Sequence, residues 1–261
     1  MKKTLNISLI QSNIQWLERQ KNLDYLTSKI SEIQNTDIVF LPEMFDTGFY
    51  IEPHKLEKSE EYLSYNWLRN SAINKKISIG GSTIFNENGK FYNRFLLANP
   101  DGNVDFYNKR HLFKHAGELN EYLAGNEQKI VEFDNWRIKL LVCYDLRFPV
   151  WARNTENYHI LVYVANWPTS RIEQWKSLLI ARAIENQAYT IGVNRIGEDG
   201  NGFVYPGKSL IISPKGEIMY EAKELEEDIY TAELDFEYLQ NIRSKFPVLE
   251  DMDEFEILGE A

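Results

Sequence analysis

The chain has 261 residues, 43% of them hydrophobic and 26% charged, and a formal net charge of −10. This is the make-up of an ordinary folded globule with ample length for a core, and its acidic excess, densest over 221–228 and 249–254, repels phosphate backbones and argues against a nucleic-acid partner. A single cysteine rules out any intrachain disulfide, and no run approaches the ~18 apolar residues of a membrane span, so a cytoplasmic protein with no membrane partner is expected.

Strand and helix patterns alternate from the start. Residues 5–11 read as a strand, and Asn6 and Ser8 interrupt what would otherwise be the apolar stretch of a signal peptide. A helix follows at 21–34, where Leu23, Leu26, Ile30 and Ile33 recur at spacings of three and four. The apolar strand 38–41 ends in Pro42, which cannot donate to a ladder, and then presents the carboxylate of Glu43. The pattern predicts a second helix over 59–74, with Tyr62, Leu63 and Trp67 on one face. Strands at 77–85 and 94–98 come next, with Asn86-Glu87-Asn88-Gly89 as the turn signal between them. A less apolar strand from Val104 leads into Lys109.

A hairpin of 129–133 and 136–142 delivers Cys143, and Pro149 then suits the first turn of a helix reaching about Arg153. Residues 159–165 form a strongly apolar strand ending in Asn166-Trp167-Pro168. A long helix over 172–187 carries Trp175, Leu178, Leu179 and Ala183 on one stripe, and strands at 189–194, 208–213 and 229–234 follow. No linker, low-complexity tract or repeat divides the chain, so one domain over 1–261 is expected. Two α/β halves with central sheets and outer helices imply an α/β fold of the α-β-β-α sandwich type.

Glu43, Lys109 and Cys143 each follow a predicted strand, and side chains that do chemistry in α/β sheets gather at strand ends. A lone cysteine in that position is either a small core hydrophobe or a nucleophile. The trio is coherent as chemistry. A thiol of pKa ~8.5 is mostly protonated near neutrality and needs a base beside it. None of the four histidines falls in a Cys-His signature, but Glu43 could take the thiol proton and later activate the water that cleaves a thioester. Lys109 would keep its charge beside that carboxylate and offset the oxyanion formed on an attacked carbonyl. The backbone N–H of Tyr144 is a natural second donor.

Three segments carry a family resemblance: Leu41-Pro42-Glu43, Tyr107-Asn108-Lys109-Arg110-His111-Leu112-Phe113 and Val142-Cys143-Tyr144-Asp145-Leu146-Arg147-Phe148-Pro149. In type, order and separation they resemble the three signatures of the nitrilase (carbon-nitrogen hydrolase) superfamily, and the likeness runs through essentially the whole chain. The resemblance implies the nitrilase-type sandwich, with Glu43 as general base, Lys109 stabilising the tetrahedral intermediate and Cys143 as nucleophile. Family members often carry a second active-site glutamate shortly before a glycine that follows the lysine. Counting back from Gly125 favours Glu118, which would orient Lys109, with Glu121 as the fallback.

Several further segments look like the ω-amidase branch, which hydrolyses 2-oxoglutaramate and similar ω-amides. They are 143–149, 181–189, 194–202 and Lys245-Phe246-Pro247. The alternatives are a carbamoyl amine or nitrile as substrate, or a scaffold protein that lost the chemistry.

Phe45, Phe113 and Trp167 are candidates for the substrate pocket, and Arg195 and Tyr205 for binding a substrate carboxylate. Arg147 reads first as an ion pair holding its turn. The glycines at 197, 200, 202 and 207 form no phosphate loop, and the scattered histidines lack companions at metal spacing, so neither cofactor nor metal is expected. A homodimer is expected, built partly from the helices flanking Cys143 and the 172–187 segment, with Trp151 and Trp175 as anchors.

Overall fold

The computed structural model describes residues 2–56 and 62–257. In chain order the strands and helices are β1 (Thr4–Gln11), α1 (Arg19–Glu32), β2 (Ile38–Phe40), α2 (Leu63–Lys75), β3 (Ser78–Glu87), β4 (Lys90–Ala98), β5 (Val104–Asn108), α3 (Glu118–Glu121), β6 (Ile130–Phe133) and β7 (Trp136–Val142). The second half continues with α4 (Pro149–Ala152), β8 (Ile160–Ala165), α5 (Ile172–Asn186), β9 (Tyr189–Asn194), β10 (Ile196–Glu198), β11 (Val204–Pro206), β12 (Leu210–Ile212), β13 (Ile218–Glu221), β14 (Asp228–Asp235) and α6 (Phe236–Lys245).

Two six-stranded sheets form, in the orders β14-β1-β2-β3-β4-β5 and β13-β12-β9-β8-β7-β6, with β10 and β11 as a separate pair. The centre of each is parallel, β1 to β3 in one and β7 to β9 in the other, and antiparallel strands complete both edges. Side-chain alternation sets the layers. Ile38 and Phe40 of β2 join the cluster shared with the other sheet, whereas Val39 and Leu41 join Leu23, Leu26 and Ile30 of α1 and Leu68 and Ala72 of α2. Strand β8 is buried at every position, as its unbroken apolar run requires. Trp175, Leu179 and Ala183 seat α5 on the outer face of the second sheet. The result is an α-β-β-α sandwich, and full burial of each of these large apolar side chains contributes about 1.5–3 kcal/mol.

Several elements differ from the sequence reading. Strand β4 starts at Lys90, because Asn88 (φ 54°) and Gly89 (φ 80°) alone make the tight hairpin turn. Helix α2 begins at Leu63, and residues 59–61 of the expected helix lie outside the described residues. Helix α6, unforeseen in a polar segment, starts where the Asp235 carboxylate accepts the N–H groups of Glu237 and Tyr238. Strands β10, β11 and β13 are too short and too polar to show a period.

Trp151 and Trp175, expected as dimer anchors, are committed inside the chain. They are 5% and 0% exposed, and their indole N–H groups donate to Tyr107 Oη and the Lys208 carbonyl. The apolar side chains that α4 and α5 present outward are Val150 and Ile184. No helix among the described residues is long and apolar enough to cross a membrane.

Candidate active site

Cys143 follows β7 with φ at +44°, a conformation unfavourable for an L residue, and opens a 3₁₀ turn over Cys143–Arg147. The buried carboxylate of Asp145 holds that turn. Its Oδ2 accepts from the Val142 N–H at 3.0 Å and Tyr107 Oη at 2.9 Å. Its Oδ1 accepts from the His111 N–H at 2.9 Å and lies 2.8 Å from His111 Nδ1. One carboxylate therefore pins the cysteine turn to the loop that carries Lys109. On the other side of that loop, Gly125 donates its N–H to the Lys109 carbonyl, and a Cβ there would fall 2.2 Å from the Asn108 carbonyl oxygen. Only glycine permits that approach.

Lys109, Glu43 and Glu118 have fully buried side chains. Lys109 Nζ donates to Glu43 Oε1 at 3.0 Å and to Glu118 Oε1 and Oε2 at 3.0 and 2.9 Å. Asn93 Nδ2 bridges the two carboxylates, 2.8 Å from Glu43 and 3.1 Å from Glu118. Glu43 Oε2 accepts the Asn166 backbone N–H at 2.8 Å, while Asn166 Nδ2 donates to the Glu43 carbonyl at 2.7 Å. Glu121, by contrast, pairs with His54 in a partly exposed contact at 3.1 Å, so Glu118 is the glutamate that meets Lys109.

Burial alone would lower the Lys109 pKa, but the charges of Glu118 and Glu43 outweigh it and hold the ammonium well above its ordinary range. Burial, followed by the Glu43 charge, raises Glu118 despite Lys109. Burial also pushes the Cys143 thiol well up, and the Glu43 charge adds to the effect. The resting thiol is therefore protonated. Its sulfur lies 3.9 Å from the Asn166 carbonyl oxygen.

Glu43, Lys109, Cys143 and Tyr144 line one cavity of about 650 Å³. Of the expected pocket residues, Phe113, Trp167 and Tyr205 line it too, and Tyr205 Oη donates to Asp199 at 2.8 Å. Phe45 and Arg195 do not. Phe45 turns away onto Trp67, with ring centroids 5.7 Å apart, against the bare backbone of Gly81. Arg195 is fully buried: its Nε and Nη2 donate to the carbonyls of Ile196 and Ile14, while Nη1 finds no acceptor among the described residues.

Arg147 also lines the cavity, and among the described residues it makes no ion pair: Nη2 donates to the neutral Gln174 Oε1 at 2.6 Å. The sequence does not single out Asn93, Asn166, Asp145 or Arg171, the last of which also lines the cavity. The available signals are the Asn166 position after an apolar strand and the Asp145 position inside the cysteine signature. No group of three or more His, Cys, Asp or Glu side chains placed to hold a metal occurs among the described residues.

The carbon-nitrogen hydrolase family model matches residues 6–244. The chain is a carbon-nitrogen hydrolase. This hydrolase is 46% identical over 255 residues to an omega-amidase, YafV, of Yersinia enterocolitica, covering 98% of this chain and 99% of the relative. It is 33% identical to a 2-oxoglutaramate amidase of Bacillus subtilis, covering 94% and 96%. Among solved structures it superposes with a TM-score of 0.91 on a CN-hydrolase superfamily protein of Xanthomonas campestris that holds an arsenic adduct in its active site. That chain is 36% identical, with 99% of this chain and 100% of the other covered.

Proposed function

We propose that this carbon-nitrogen hydrolase converts the ω-amide of a 2-oxo dicarboxylate, such as 2-oxoglutaramate, to the acid and ammonia through a thioester at Cys143. The observation that carries the chemistry is a single ammonium between two buried carboxylates, on the wall of the cavity that contains the chain's lone thiol. The substrate class rests on the likeness to the omega-amidase and the 2-oxoglutaramate amidase.

Because the thiol is protonated at rest, Glu43 takes its proton as sulfur bonds to the amide carbon. The carbonyl electron pair moves onto oxygen, where Lys109 Nζ and the Tyr144 N–H offset the charge. Glu43 returns the proton to the leaving nitrogen, which departs as ammonia and leaves the thioester. Water then attacks the thioester carbon while Glu43 accepts its proton, and the proton goes back to sulfur as the acid leaves. Glu118 and Asn93 keep Lys109 and Glu43 in register throughout.

Ammonia release measured over 2-oxoglutaramate, 2-oxosuccinamate, glutamine, asparagine, N-carbamoyl amines and nitriles tests this. The dicarboxylate ω-amides should exceed the rest in kcat/KM. Preference for a carbamoyl amine or nitrile would refute the substrate class.

One domain over 1–261 and a homodimer complete the proposal. An apolar cluster that draws on both sheets supports the first, and exposed Val150 and Ile184 support an interface. Light scattering at the 30.7 kDa of one chain would refute the dimer. A cytoplasmic location accords with a nucleophilic thiol that must stay reduced.

A further inference from the structure

Two arginines of the cavity wall have no part in the chemistry above. Arg147 lies four residues past Cys143 on the same turn, and Arg171 ends the 3₁₀ turn before α5. Each guanidinium rests near an aromatic ring, Arg147 at 4.9 Å from Trp167 and Arg171 at 5.4 Å from Phe113. Both rings belong to the same wall. Trp167 Nε1 donates to the Arg171 carbonyl at 2.8 Å, and Phe113 packs on Tyr144 at 5.0 Å.

An aromatic face holds a guanidinium in place without consuming its N–H donors. Among the described residues no carboxylate pairs with either arginine. Arg147 spends a single bond on a neutral amide oxygen, and the Arg171 side chain donates none. The nearby Asp199 carboxylate is taken by Tyr205 Oη and the N–H groups of Asn201 and Phe203. Two partly buried cations with most of their donors free of protein partners share a cavity with the thiol. They match a ligand that carries an anion at the end away from its amide.

We propose that Arg147 and Arg171 form the subsite for the free carboxylate of the substrate, the role first assigned to Arg195 and Tyr205. This deepens the ω-amidase reading and rests on it. The two planar forks select the ω-monoamide of a dicarboxylic acid over an amide of equal length that ends in a methyl group.

The test compares kcat/KM for succinamate and butyramide, which differ only in that terminus, in the wild type, Arg147→Met, Arg171→Met and the corresponding lysine variants. Losing a charge-assisted hydrogen bond should lower the succinamate-to-butyramide ratio by about 10- to 100-fold in each methionine variant. Lysine should restore part of it, because it keeps the charge without the fork. A ratio unchanged in both methionine variants overturns the subsite, even if the wild type prefers succinamate and the reaction reading stands.

Protection of Cys143 from iodoacetamide by succinate supplies a readout independent of turnover. If the wild type hydrolyses no dicarboxylate amide yet succinate protects it in an arginine-dependent manner, the subsite stands and the ω-amidase reading falls. Absence of protection in the wild type overturns the subsite.

Discussion

Replacing Lys109 by Met removes the one positive charge between two buried carboxylates. At 3.0 Å from Glu43 and 2.9 Å from Glu118, each contact is worth ~5 kcal/mol of gross attraction at an effective dielectric of about 20. Desolvation offsets much of that, and removing one partner of a buried pair costs about 3–5 kcal/mol. The melting temperature of a chain this size should fall by roughly 6–15 °C.

The sign of the pH dependence is distinctive. Without the ammonium, Glu118 loses the charge that lowers its pKa, so its folded value, already raised by burial, climbs further above the unfolded value of about 4.3. A carboxylate raised on folding is best tolerated at low pH, and its cost grows as pH climbs towards the raised value. The gap between variant and wild type should therefore widen from pH 5 to pH 8, by up to ~1.4 kcal/mol per pH unit for each proton retained. Thermal melts followed by circular dichroism at four pH values measure it. Ammonia release should also fall by ~10²–10³, the usual loss on removing an oxyanion donor. A gap that is absent, or the same at every pH, would refute the picture of one ammonium holding two buried carboxylates.

Cys143→Ala should release no ammonia and melt like the wild type, since alanine inherits the same +44° backbone; measurable turnover would remove Cys143 from the mechanism. Because burial and the Glu43 charge hold the thiol up, iodoacetamide labelling should keep accelerating from pH 7 to pH 10. Glu43→Gln should label faster at any one pH, and a plateau below pH 8 would contradict this reading. Asn166→Ala deletes the Nδ2 donor to the carbonyl and carboxylate of Glu43, so kcat/KM should fall about tenfold as the base loses its fixed position. An unchanged kcat/KM would show that Asn166 does not position the carboxylate.

Sequence alone determined the alternation of strands and helices, the three strand ends that carry Glu43, Lys109 and Cys143, and the favoured position of Glu118. These are legible because apolar period, proline and glycine act over a few residues, and parallel strands place their ends on a common rim. Only the tertiary structure decided which neighbours share that rim. Phe45 lies two residues past Glu43, but the chain is already turning there and strand parity no longer says where a ring points. Arg195 follows a strand as Asn166 does, yet the carbonyls of Ile14 and Ile196 capture it before it can reach the cavity. Asp145 ties residues 111 and 142 together through one buried carboxylate, and Asn93 arrives from β4 to bridge Glu43 and Glu118. Such contacts span tens of residues and depend on how two sheets pack, a relation that no local pattern encodes.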